Sequence, residues 1–337
     1  MINPRVIQRI IANTDMRTKL RLARVIPKFG RVDELTKCMM CPNMCLHVCP
    51  VFDAERRLTV SPSVKSRLGY FSEDVIYDAV YHCLPCDACK NACPMEISVN
   101  DALRDVRGRF VSETAKKAVR KFEDEVMKHS KMAEKERRDG KVLYFPGCRT
   151  FEARLFSKTV EVLEKLNVDF AVDEVVCCGM PYHELGMMKE FRDAVERLKG
   201  VASKYEGVIS NCPHCVSILR ESGIKAVHLI SVLKPVKVGG EFSFHDPCLM
   251  ARKLGIIEEP RKLLEEMGCS VKETAFSGKD THCCGYGGVY RILYPELAEK
   301  VAKKRKGHFE CQIVTACPAC RIALDAVDIL ELIGEGL

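Results

Sequence analysis

Residues 283–288 read Cys283-Cys284-Gly285-Tyr286-Gly287-Gly288, and residues 177–179 read Cys177-Cys178-Gly179. Each doublet is the middle of a longer pattern. Cys148 precedes the first doublet and Cys212-Pro213-His214-Cys215 follows it; Cys248 precedes the second and Cys317-Pro318-Ala319-Cys320 follows it. Five cysteines thus recur in the same order, with 34 positions from the doublet's second cysteine to the final pair in one copy and 33 in the other, which marks an internal duplication.

The stretches between these cysteines alternate between strand and helix patterns. In the first copy, strands are expected at Lys141–Phe145, Val168–Val172, Val208–Ser210 and Ala226–Val232, with helices over Glu152–Leu166, Leu185–Leu198 and from Val216 to Glu221. In the second copy, strands are expected at Phe242–His245, Val271–Phe276 and Ile313–Thr315. Helices are expected over Pro260–Met267, Leu297–Lys304 and Arg321–Ile333. Each cysteine element then falls past the carboxyl end of a parallel strand, the edge of an open α/β sheet where ligands collect. Gly179 and Gly285 give the backbone freedom needed where two adjacent thiols must face one centre. Helix N-termini after Cys215 and Cys320 would favour an anionic group there.

Upstream lie two tighter groups. Cys38, Cys41, Cys45 and Cys49 precede Pro50, and Cys83, Cys86, Cys89 and Cys93 precede Pro94. The second follows the C-x2-C-x2-C-x3-C-P spacing of bacterial iron–sulfur sites, in which the remote cysteine commonly serves the neighbouring cluster. The first has one residue more between Cys41 and Cys45. The expected sets are Cys38, Cys41, Cys45 and Cys93 on one [4Fe-4S] cubane, and Cys83, Cys86, Cys89 and Cys49 on the other. Structural zinc is the bland alternative for these tight groups, but two runs each ending in Cys-Pro are typical of iron–sulfur ligation; in the five-cysteine sets zinc, which prefers four ligands, fits poorly.

The chain has 337 residues, enough for two or three domains of roughly 100–200 residues each. Its 20 cysteines therefore need not be disulfide staples, and no export signal or run of roughly 18–20 apolar residues is present. The expected location is the cytoplasm, or the inner face of a membrane through a partner subunit. Cys269 and Cys311, outside all four groups, read as small buried hydrophobes. The net charge of +7 comes mostly from the basic segment up to Lys37, whose apolar positions Val6, Ile7, Ile10 and Ile11 suit docking on protein rather than nucleic acid. Two anionic cubanes would lower that charge further.

The expected architecture is α+β overall: a helical two-cluster ferredoxin-like N-terminal domain followed by a duplicated α/β unit with short parallel sheets. Its divisions are a basic helical segment at 1–36, the two-cubane domain at 37–114 and a charged helical linker at 115–140. The two five-cysteine units occupy 141–239 and 240–337. Helices at Asp74–His82 and Val99–Phe110 would flank the second cysteine run.

This set of motifs, over roughly residues 36–325, resembles the CCG cysteine-rich domain of heterodisulfide reductases, fused behind a ferredoxin-like domain as in their D-type subunits. It is also similar to iron–sulfur subunits of glycolate, lactate and anaerobic glycerol-3-phosphate dehydrogenases. The resemblance implies two noncubane [4Fe-4S] centres, one on Cys148, Cys177, Cys178, Cys212 and Cys215, the other on Cys248, Cys283, Cys284, Cys317 and Cys320. It also implies reduction of a small-molecule disulfide to two thiols between them, with electrons relayed through the cubanes. Arg149, His214 and His245 lie beside ligands in sequence and are candidates to tune the clusters or steer an anionic thiol, as are His183, Arg252 and Arg321. With no nucleotide-binding glycine fingerprint, electrons would come from a flavoprotein, a hydrogenase-type donor or a membrane cytochrome b subunit in a hetero-oligomeric complex. The competing reading is a non-catalytic relay subunit of a flavin dehydrogenase passing electrons to a quinone, cytochrome or other carrier.

Overall fold

The computed structural model describes residues 34–72 and 78–337, with residues 12, 15–17 and 20 before them. The apolar positions read at Val6, Ile7, Ile10 and Ile11 lie outside the described residues, as does 73–77 of the helix expected over Asp74–His82. The remainder of that helix is a single 3-10 turn, Asp78–Val80.

Two four-stranded sheets carry the second part of the chain. In the first, β1 (Val142–Tyr144), β2 (Phe170–Ala171), β3 (Gly207–Ser210) and β4 (Ala226–His228) lie in the order β2-β1-β3-β4. In the second, β5 (Glu241–His245), β6 (Ser270–Val271), β7 (Ile313–Thr315) and β8 (Val327–Asp328) lie in the order β6-β5-β7-β8. Every pairing within both sheets is parallel. The same strand order twice is the duplication in three dimensions, and it yields the α+β architecture expected from sequence, with a mainly helical segment ahead of the sheets.

Several local expectations need correction. The helix expected over Arg321–Ile333 is two helices, Pro318–Leu324 and Ile329–Gly336, with β8 between them. Asp325 ends the first in a left-handed conformation (φ 50°), and Asp328 starts the second as one half of a capping box with Glu331. Leu324 before this break and Ile329, Leu330 and Ile333 after it are buried, so the apolar periodicity concealed it. Similarly, Leu185–Leu198 is split at Gly186 (φ 73°) into Met180–Leu185 and Met188–Ala202, and Glu152–Leu166 is split into Cys148–Glu152 and Phe156–Lys165. The strand expected at Val271–Phe276 contracts to β6, leaving a loop that leads to the second doublet.

One apolar core joins the two units: Tyr144, Phe156, Leu163 and Ile209 of the first pack with Phe244, Leu264, Leu330 and Ile333 of the second. A second core joins Val51, Val60 and Leu84 of the N-terminal region to Leu249, Tyr290, Val301 and Leu324. The cysteine-rich N-terminal region is therefore seated against the second unit as well as on the helix Glu113–Ala133, which reaches the first unit through Tyr182 and Leu185. Among the described residues no helix is long and apolar enough to cross a membrane.

Candidate metal centre

All twenty cysteines are free thiols, and fourteen of the eighteen in the four motif groups are buried, so disulfide staples play no part in holding this fold. In the first unit the parallel sheet delivers Cys148 after β1, the doublet after β2 and Cys212 after β3, all at the carboxyl edge. Cys212 and Cys215 bracket the first turn of the helix Pro213–Glu221, which puts both thiols at one end of the helix. Gly179 takes φ 81°, and a side chain there would press on Phe191; Gly285 takes φ 87°, and a side chain there would press on the Ala298 carbonyl. The doublets therefore turn where only glycine turns easily.

The two units repeat their sulfur contacts. Hydrogen bonds from Cys177 and Cys215 hold Cys178 well below the usual thiol range, and hydrogen bonds from Cys283 and Cys320 do the same for Cys284. Cys320 Sγ lies 3.3 Å from Cys284 Sγ, and Cys248 Sγ lies 3.6 Å from Cys283 Sγ. A hydrogen bond from Cys215 brings Cys212 down to about 5, whereas burial pushes Cys148 up to about 12. Five thiols from three loops thus converge in each unit.

In the N-terminal region Cys38, Cys41, Cys45 and Cys93, with Cys89, line a cavity of about 210 Å³. Burial, with the neighbouring charges of Cys38 and Cys49, pushes Cys45 up to about 12. Cys49 instead sits among Cys83 and Cys86, and it shares with Cys83 and Cys89 the field of Lys65. Lys65 is 1% exposed, and its ammonium donates to the His82 carbonyl at 2.9 Å. Burial alone would discharge it; the thiolates of Cys83, Cys49 and Cys89 reverse that and raise its pKa. Cys86 meets the second unit: a hydrogen bond from Cys283 lowers it to about 7, and its carbonyl accepts from Arg252 at 2.6 Å.

Polynuclear iron–sulfur groups fit this donor set. Buried thiols crowded together are costly to ionise, and a metal that displaces their protons and supplies positive charge removes both penalties. Sulfur is the soft donor such clusters require.

The non-cysteine candidates divide clearly. Arg149 lies beside Cys148, ion-paired with Glu152 and stacked over Phe122 at 5.0 Å, and it lines the cavity of the first pentacysteine set. His214 lies between the two sets, lining the cavities of both together with Gly287 and Ala319. Burial opposes its charged form, but a hydrogen bond to Cys212 and the charges of Cys212, Glu184 and Cys317 raise it to about 10. His245 ends β5, with a ring nitrogen and the sulfurs of Cys284 and Cys320 within 4.8 Å of one another. Arg252 binds backbone carbonyls, Arg321 pairs with Glu331 at 2.7 Å, and His183 sits on Arg104 at 2.8 Å and lines neither cavity. Cys269 is buried as expected, but Cys311 is only half-buried, against Glu241.

Sequence reasoning missed Lys65, Glu184 and Arg305, all of them buried charged residues. Glu184 accepts from the Val289 amide at 2.8 Å, which anchors the glycine-rich loop after the second doublet, and burial raises its pKa. No spacing rule marks these residues.

A family model of the cysteine-rich domain CCG matches residues 142–220 and 242–325, and one of the 4Fe-4S dicluster domain matches residues 34–97. The chain is 26% identical to a subunit of the fumarate reductase (CoM/CoB) of Methanothermobacter marburgensis, over 94% of this chain and 72% of the relative. It is also 26% identical to an uncharacterized iron-sulfur protein of Methanocaldococcus jannaschii, over 88% of this chain and 69% of the relative. Lactate utilization protein A of Lysinibacillus sphaericus is 27% identical over 48% of this chain and 81% of the relative. With its duplicated sheets, paired pentacysteine sets and dicluster region, the chain belongs to the CCG-domain iron–sulfur electron-transfer proteins.

Proposed function

We propose that this chain is the catalytic iron–sulfur subunit of a heterodisulfide reductase-like complex. Its two pentacysteine sets would hold noncubane [4Fe-4S] centres and its N-terminal sets two cubanes, supplying the single-electron steps that a two-electron reaction needs. The disulfide takes up two electrons and two protons and leaves as two thiols, the electrons coming from a partner protein. The observation that carries this reading is that both pentacysteine sets are complete and adjacent, with His214, Gly287 and Ala319 lining the cavities of both.

The residues suit a small thiol-derived substrate. Phe122, Val126, Phe145 and Ile292 line an apolar wall of the first cavity, and Arg149 supplies a cation beside the half-buried Cys148. An apolar wall excludes water, and one fixed cation orients an anionic group. His214 offers an imidazole at the junction, placed to deliver a proton to a departing thiolate. The relative named for CoM/CoB chemistry supports a reductase role. The lactate utilization relative, which covers about half of the chain, supports the second reading, an electron relay for a dehydrogenase.

Iron content and EPR separate the readings. The anaerobically purified chain is expected to hold about sixteen irons and to give a paramagnetic state that appears only with substrate thiol under oxidising titration. About eight irons would overturn the four-centre reading. A full iron content without any thiol-dependent signal would favour the relay.

A further inference from the structure

His245 and Arg305 form a buried pair that the disulfide chemistry does not use. His245 is 1% exposed and Arg305 is 2% exposed. Arg305, on the helix Pro295–Lys306, donates from Nε to His245 Nδ1 at 3.3 Å. Its remaining nitrogens are tied to the Phe276 carbonyl at 2.9 Å and to His308 Nδ1 at 3.3 Å, so the guanidinium is fixed in place. A guanidinium can only donate. Nδ1 of His245 must therefore be the accepting nitrogen, and the ring's proton belongs on Nε2.

That Nε2 is buried and makes no well-formed hydrogen bond among the described residues; the protein group it faces is the Cys284 sulfur. A buried donor left with only a poorly formed bond is costly, and a sulfur of a group seated on these cysteines would complete it. The neighbours are the sulfurs of Cys284 and Cys320, with a ring nitrogen of His245 and both sulfurs inside 4.8 Å of one another. In the first unit the residue at the same place before the leading cysteine is Phe145, which has no donor to offer.

We propose that Arg305 and His245 are a positioning pair for the second pentacysteine centre. Arg305 sets the His245 tautomer, and His245 Nε2–H donates to a sulfur of the group held by Cys284 and Cys320. Hydrogen bonds to cluster sulfurs stabilise the electron-rich reduced state, so the pair raises the reduction potential of this centre without a matching effect on the first. The inference rests on the reading that this set holds an iron–sulfur centre.

The test is an EPR-monitored redox titration of the full chain, purified anaerobically, with hyperfine spectra taken in H2O and D2O. His245→Phe should keep its iron, lower the midpoint of one centre only, and lose an exchangeable-proton coupling present in the parent. His245→Gln, which keeps a side-chain N–H, should recover part of the shift, and Arg305→Lys, which keeps a donor to Nδ1, should retain most of it. An unchanged midpoint in a fully loaded His245→Phe protein overturns the inference while leaving the metal reading intact. Strong nitrogen coupling in the parent, with loss of iron in both His245 variants, would make His245 an iron ligand and also overturn it. A parent with only about eight irons removes the centre itself, and the inference falls with the four-centre reading. Should His245→Phe fail to fold, the absence of an exchangeable-proton coupling in the parent would be decisive against the pair.

Discussion

Tyr290 donates its hydroxyl to Glu55 at 2.8 Å, joining the second α/β unit to the helix that follows the first cysteine run. His82, just before the second cysteine run, binds the same carboxylate oxygen at 2.7 Å, and Arg57 holds the other at 2.6 Å. One buried carboxylate therefore ties three segments together at the seam between the dicluster region and the second unit.

Burial alone would raise the Glu55 pKa; hydrogen bonds from His82, Arg57 and Tyr290 outweigh it and bring it down to about 2. Its folded value lies below its ordinary one, so its contribution is fully present above about pH 4.5. That contribution is lost as the pH falls toward about 2. Urea unfolding followed by circular dichroism should show the parent losing more stability than Glu55→Gln over that window. At neutral pH, Tyr290→Phe should cost about 1.5–3 kcal/mol, since it removes one of the bonds to a buried charge.

Lys65 places a positive charge among the thiols of Cys49, Cys83 and Cys89. Cluster reduction adds a negative charge, which a nearby cation in a low-dielectric setting stabilises. Lys65→Met, close in shape and without charge, should shift the midpoint of one cubane downward and leave the other nearly unchanged. A redox titration that finds no shift would show that the ammonium compensates charge only in the resting protein.

Cys93 lines a cavity with Cys38, Cys41 and Cys45, while Cys49 sits beside Cys83 and Cys86. This placement agrees with the expected exchange of remote cysteines between the two runs, although Cys89 lines the same cavity as Cys93. Cys93→Ser is expected to perturb the signal of the cluster served by the first run, and Cys49→Ser that of the second. Each variant should lose up to about four irons. EPR of the reduced single variants would reveal the opposite assignment if the runs act independently.

Gly288 has φ 66°, and a Cβ there would overlap the Glu184 carboxylate, which is buried and bonded to the Val289 amide. Gly288→Ala should therefore cost about 1–3 kcal/mol and disturb the loop after the second doublet. Gly200, inside the helix Met188–Ala202, has open space around its Cα. Gly200→Ala should stabilise the protein by about 0.4–1 kcal/mol, because it reduces the freedom of the unfolded chain at no steric cost. Thermal unfolding of the pair checks both signs together.

Much of the scaffold is legible without coordinates. Strands such as Ile313–Thr315 stand out because short apolar runs end directly in a cysteine motif, and the five-cysteine order announces the duplication before any packing is known. The break at Asp325–Asp328 is not legible in the same way. A buried apolar face continues across it, and hydrophobic periodicity records burial rather than the local turn that interrupts it. Lys65, Glu184 and Arg305 escape for a related reason: a charge in a helix usually reaches solvent, and only the segments packed over it reveal that it does not.

The sequence by itself determined the number, order and grouping of the thiols, the repeated α/β pattern and the glycines that let adjacent cysteines face one way. These are properties of spacing along a chain, and spacing is local. The tertiary structure alone decided the meetings between segments: Cys86 with Cys283, His214 between two cavities, and Arg305 against His245. Such contacts depend on how two sheets and a helical region share their apolar cores, and a side chain's partner across that seam leaves no period in the sequence.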